Sequence, residues 1–180
     1  MHIARTTGLV AFAGFLACIP LANWLILHVG TVCVPQGPCL ILVAPNLMAP
    51  SGVALIGLAL VLRDVVQRCL GKAASLIAIV IGTLLSALIA PPSLVFASAT
   101  AFLLSEAADF AIYTPLAQRR LVLAVIASSL AGLVIDSIVF LSLAFGSLDY
   151  LAGQVVGKTW AVLISVPFIR LLRRAAPTQA

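Results

Sequence analysis

Leu60-Val61-Leu62-Arg63-Asp64-Val65-Val66-Gln67-Arg68 sets two opposite charges inside an apolar run. A charge at the centre of a spanning helix costs about 2.5–3.5 kcal/mol even on lenient insertion scales, so it persists where it pairs, faces a water-filled cavity or binds something. Arg63 and Gln67, four apart, share one helical face, and Asp64 and Arg68 share the adjacent one. Arg68 and Lys72 suit a helix end where long side chains snorkel toward water, with Asp64 pairing to Arg68. Arg63 lies about two turns deeper than Lys72 and does not fit that reading. The pattern is that of a membrane protein with a polar interior site.

Composition agrees over the whole chain. Its 180 residues are 63% hydrophobic and 8% charged, with a mean hydropathy of +1.26. Soluble domains carry about 25% charged residues, so a water-soluble fold lacks its polar shell here. The net charge of +5 does not point to nucleic acid, because most basic residues flank apolar runs, where they act as topology signals.

A spanning helix needs about 20 mainly apolar residues. Six stretches qualify, at about 8–28, 50–69, 73–90, 94–117, 121–146 and 150–172, which predicts an all-α bundle of six transmembrane helices in a single domain covering 1–180. Arg5 precedes the first span, Arg68 and Lys72 separate the second from the third, Arg119 and Arg120 separate the fourth from the fifth, and Arg170, Arg173 and Arg174 close the sixth. The connections near 29–49, 91–93 and 147–149 have no Lys or Arg, and the last carries Asp149. Basic residues on alternate loops place both termini in the cytoplasm. The first span has the Arg5 flank of a signal peptide, but its apolar run is long for one, so an uncleaved helix is expected.

In the first outer connection, Cys33 and Cys39 flank Val-Pro-Gln-Gly-Pro. A small disulfide loop is geometrically allowed on the oxidising side; two unpaired thiols are the other reading. No His/Cys cluster accompanies them, so no metal site is expected. Leu40–Ala44, bounded by prolines, is too short to span and is expected to be a capping loop or re-entrant segment, with Ser51 capping the next helix.

The later spans carry more interior polarity. Glu106, Asp109, Phe110 and Tyr113 follow three-four spacing on one stripe of the fourth. Ser128, Gly132 and Asp136 recur every four residues on the fifth, where small residues allow close packing but Asp136 asks for another reason. Gln154 and Lys158 share a face of the sixth, Lys158 as counter-ion for one acid and Gln154 as both donor and acceptor. The deep groups are two positive (Arg63, Lys158) and four negative (Asp64, Glu106, Asp109, Asp136). Such an interior recruits a cation, protonates a carboxylate, or both. A carboxylate also suits paired N–H donors on a flat heterocycle. Phe102, Phe110, Phe140 and Trp160, with Tyr113, are candidates to stack on such a ring.

Gly57…Leu62-Arg63-Asp64-Val65-Val66-Gln67…Gly71 resembles the second-helix signature of the vitamin uptake transporter family, also called queuosine precursor transporters. Ala101-Phe102…Glu106…Asp109…Ile112-Tyr113 is similar to its fourth-helix motif, and Ser128…Asp136-Ser137…Phe140 and Gly153-Gln154…Lys158 to its last two helices. The first 50 residues resemble the family only loosely. The resemblance implies a six-helix bacterial inner-membrane importer of the 7-deazaguanines preQ0 and preQ1, built like the substrate-binding subunits of energy-coupling-factor transporters and using no cofactor. By the same resemblance, Glu106, Asp109 and Asp136 would meet the guanine-like N–H edge. Gln154, Gln67, Arg63 or Lys158 would face the carbonyl or neutralise the acids, with Asp64 completing the set. The charge excess would suit protonated preQ1.

Two other readings stand beside it. A binding subunit could serve an ATP-driven module, docking through Ala13 and Ala17; no GxxxxGK[ST] motif is present, so the ATPase would be a partner. An intramembrane aspartyl hydrolase would use Asp109 and Asp136, though neither lies in a Gly-Asp motif. The sequence therefore reads as a transporter, not an enzyme, with the lipid bilayer, a small solute and, for so small a body, a second copy as its partners.

Overall fold

Each of the six apolar runs is a helix in the computed structural model, which describes residues 2–35, 37–89 and 94–175. In chain order these are α1 (His2–His28), α2 (Val53–Leu70), α3 (Lys72–Ile89), α4 (Val95–Ala117), α5 (Leu121–Phe145) and α6 (Leu151–Ala175). The connection around 91–93 and the side chains of Arg170, Arg173 and Arg174 lie outside the described residues. Among the described residues, four helices (α1, α3, α4 and α5) are long and apolar enough to cross a membrane. The other two, α2 and α6, carry the interior cations Arg63 and Lys158.

Successive helices reverse direction. Gly8 near the start of α1 lies against Cys69 and Leu70 at the end of α2, while Gly52 before α2 lies against Ala22. Arg5, Lys72, Arg119 and Arg120 consequently gather, exposed, at one end of the bundle. Outward faces are apolar: on α3, Val80, Leu84 and Leu88 repeat every four residues, and Leu88 is 81% exposed. A stripe this apolar is stable only against acyl chains or another apolar surface.

The segment expected to be a loop or re-entrant element is a small antiparallel sheet, so the fold is not purely α. Strands β1 (Val32–Cys33), β2 (Cys39–Ala44) and β3 (Leu47–Pro50) lie in that order. The run Leu40-Ile41-Leu42-Val43 favours extended backbone, and the ladder satisfies peptide groups that a bare re-entrant loop would leave unpaired. Asn46, at φ 60°, makes the turn between β2 and β3, a conformation Asn tolerates. Cys33 and Cys39 are cross-strand partners joined by a disulfide. Ser51 is not a helix cap: its hydroxyl donates to Leu25 O on α1 at 2.7 Å, and Gly52 occupies the cap position. That bond and the approach of Gly153 to Met48 O on β3 tie the sheet to α1 and α6.

Candidate functional site

The interior charges form two separate clusters. The first is centred on Arg63, whose side chain is 0% exposed. Its Nη2 faces Asp64 Oδ1 at 3.1 Å and also Asp109, and its Nε donates to Glu106 Oε2 at 3.1 Å. Nη1 donates to Gln67 Oε1 at 3.2 Å, as their four-residue spacing predicts. The guanidinium carbon lies 5.6 Å from the Tyr113 ring centre and 5.9 Å from that of Phe110. Gln67 Nε2 donates to Thr114 Oγ1 at 2.9 Å, and Ser128 Oγ donates to Asp64 Oδ2 at 3.4 Å. A planar fork serves several carboxylates at once, which a lysine's single nitrogen does less well. The glutamate and two aspartates are thus bound to Arg63.

The second cluster is centred on Lys158. Its ammonium donates to Asp136 Oδ2, to Ser137 Oγ at 2.8 Å and to Gln154 Oε1 at 2.9 Å, which engages all three of its protons. Asp136 Oδ1 and Gln154 Nε2 are the atoms of this group not engaged with Lys158. Gly57 permits the arrangement: a Cβ there would fall 2.7 Å from Lys158 O and 2.9 Å from Lys158 Cα, so only glycine lets α2 approach α6 at this level.

Beside this cluster is a cavity of about 580 Å³, including its open mouth. Asp136, Phe140, Gln154 and Lys158 line one side, with Phe102 and Ser98 from α4. Ile19, Ala22, Asn23 and Ile26 of α1 face them, and Ser86, Val53 and Ile56 complete the wall. Pro50 and Gly52 place the cavity toward the sheet-bearing end, away from the basic end.

Of the residues singled out in the sequence, Asp136, Gln154, Lys158, Phe102 and Phe140 line this cavity, whereas Arg63, Asp64, Gln67, Glu106, Asp109, Phe110 and Tyr113 do not. Trp160 is 53% exposed on the outer surface and cannot stack inside. The acids that a hydrolase would use, Asp109 and Asp136, belong to different clusters, each with its own cation. The interior excess of negative charge is localised as well: Lys158 and Asp136 balance, and the surplus belongs to Arg63's acids. Sequence reasoning missed Asn23, Ser86 and Ser98. Asn23 had a signal, as an amide within the first apolar run, where it now donates to Ile19 O at 3.0 Å; the serines looked like ordinary small packing residues.

Residues 88–172 match the model of a family described as "Putative vitamin uptake transporter". That stretch covers α4, α5 and most of α6, and contains Ser98, Phe102, Asp136, Phe140, Gln154 and Lys158 of the cavity wall. The match supports the family resemblance carried by the charged motifs of α4, α5 and α6, while the α2 motif lies outside it. No curated protein and no solved structure matches the chain. The long apolar helices are those of a multi-pass membrane protein, and the second half of the chain is similar to the vitamin uptake transporter family.

Proposed function

We propose, from its likeness to the vitamin uptake transporters, that this chain imports queuosine precursors of the 7-deazaguanine class, preQ0 and preQ1, across a bacterial inner membrane. All six helices span, both termini are cytoplasmic, and the cavity opens outward beneath the disulfide-closed sheet. The observation that carries the reading is that Asp136 and Gln154, each held by Lys158 through one oxygen, line the cavity together with Phe102 and Phe140. A carboxylate acceptor next to an amide donor complements a ring edge that presents N–H groups next to a carbonyl. Asp136 accepts from the guanine-like N–H edge, Gln154 Nε2 donates to the carbonyl, and the aromatic rings cover the ring face. Lys158 holds both side chains in place. The pocket's own charges balance, so recognition rests on the ring edge rather than on a charged substituent.

Purified protein in liposomes, with no ATPase present, tests the transport reading. Saturable uptake of preQ0 or preQ1 is the expected result. Binding without uptake would overturn the autonomous importer in favour of a binding subunit that needs an ATP-driven partner. A second copy packed on the apolar α3 face is the expected assembly, and a strictly monomeric mass at full transport activity would exclude it.

A further inference from the structure

The Arg63 cluster lies directly beneath the cavity. Phe102 lines the cavity and Glu106 is one turn further along the same face of α4; Ile56 lines it and Arg63 is two turns further along α2. One turn is about 5.4 Å. Arg63, Asp64, Glu106 and Asp109 are at most 1% exposed. Three carboxylates around one guanidinium leave two negative charges uncompensated if all ionise, and an uncompensated buried charge is strongly destabilising. Asp64 and Asp109 also lean on the same nitrogen, Nη2. Carboxylates crowded in this way hold a proton between them.

A second observation points to the same ligand. Asp109 Oδ2 is buried and has no hydrogen-bond partner among the described residues. A buried carboxylate oxygen without a donor needs a reason. The neighbouring Ser128 has a single hydroxyl proton, with Asp64 Oδ2 and Val125 O each at 3.4 Å, so it cannot serve both aspartates at once. A metal ion has no seat here, because the guanidinium already occupies the space between the carboxylates. A proton needs no such room.

We propose that the Arg63 cluster is a proton site: Asp109, sharing with Asp64, carries a proton that is taken up from one side of the membrane and released to the other as the cavity above is filled and emptied. In the step itself, hydronium arriving through the cavity gives its proton to Asp109 Oδ2, forming an O–H bond and leaving water. Release to water on the opposite side regenerates hydronium and the carboxylate. The titratable groups around this proton are Arg63 and Asp64 on α2 and Glu106, Asp109 and Tyr113 on α4. Arg68 is one turn beyond Asp64 on α2, the Asp136–Lys158 pair of α5 and α6 lies in the cavity wall, Cys18 of α1 packs with Phe15 and Phe102, and Lys72 of α3 is exposed. Glu106 is the link to the cavity, since it pairs with Arg63 and lies one turn along α4 from the cavity-lining Phe102. Charge in the lower cluster is therefore felt where the solute binds. The coupling rests on the transport reading, whereas the protonation does not.

Infrared spectra of the purified wild-type protein at neutral pH test the proton directly and need no ligand. The expected result is the carbonyl stretch of a protonated carboxylic acid, shifted in heavy water and lost in Asp109→Asn. Absence of that band in the wild type would overturn the proposal. So would a band that survives in both Asp109→Asn and Asp64→Asn and disappears in Glu106→Gln. In proteoliposomes, wild-type uptake of preQ0 should rise several-fold when the side of substrate addition is acidified, and Asp109→Asn should bind preQ0 but lose that response. Wild-type uptake indifferent to the pH gradient would overturn the coupling. Failure of the transport reading would instead appear as no uptake under any gradient, with the infrared band intact.

Discussion

Replacing Arg63 with Met would strand Asp64, Glu106 and Asp109, at most 1% exposed, with no cation among them. Removing one partner of a buried ion pair costs about 3–5 kcal/mol. Here one side chain serves three acids and the Gln67 amide, so the loss should reach at least the upper part of that range. Arg63→Lys keeps the charge but replaces a three-nitrogen fork with one nitrogen, which cannot reach Glu106 and Gln67 as Nε and Nη1 do. Losing one charge-assisted hydrogen bond predicts a cost of about 1.5–3 kcal/mol for the lysine variant. Glu106→Gln added to Arg63→Met should recover part of the loss by removing one stranded charge, with a coupling of about 0.5–3 kcal/mol. Unfolding by SDS titration in mixed micelles, followed by circular dichroism, measures all three. Arg63→Met within about 1 kcal/mol of wild type would refute the reasoning, because the acids would not then depend on the guanidinium.

Asp136→Asn should weaken deazapurine binding by about 10- to 100-fold, the worth of a charge-assisted hydrogen bond, in equilibrium titration. Since Lys158 and Asp136 balance each other, preQ0 and preQ1 should bind within about tenfold of one another; a larger preference for preQ1 would mean that the pocket reads its amine. Gly57→Ala should push α6 from α2 at Lys158, costing about 1–3 kcal/mol in SDS unfolding and lowering ligand affinity as well. Reducing the Cys33–Cys39 bond removes a constraint on a short loop and should cost about 2 kcal/mol, read as the difference between unfolding with and without reductant.

The helices were legible because apolar length alone sets them: five of the six begin and end within about three residues of the predicted spans, α1 alone beginning earlier. The sheet was not, because a run as short as Leu40–Ala44 suits a strand or a buried loop equally, and its pairing with Leu47–Pro50 depends on a turn at Asn46. Within the site, the four-residue spacings gave the contacts Arg63 to Gln67 and Lys158 to Gln154. Which acid met which cation lay beyond the sequence, since it depends on how α2, α4, α5 and α6 rotate against one another. The same gap made one charged interior of what is an inner acid cluster and a separate, charge-balanced cavity.

The central claim, that the cavity beside Asp136, Gln154 and Lys158 binds a deazaguanine, is tested most directly by thermal unfolding of the purified protein with preQ0, preQ1, guanine, biotin and riboflavin. A ligand that binds only the folded state raises the melting temperature once its concentration exceeds Kd. The account predicts stabilisation by preQ0 and preQ1, none by biotin or riboflavin, and loss of the effect in Asp136→Asn. Stabilisation by a vitamin alone, or deazapurine stabilisation undiminished in Asp136→Asn and Gln154→Ala, would contradict it.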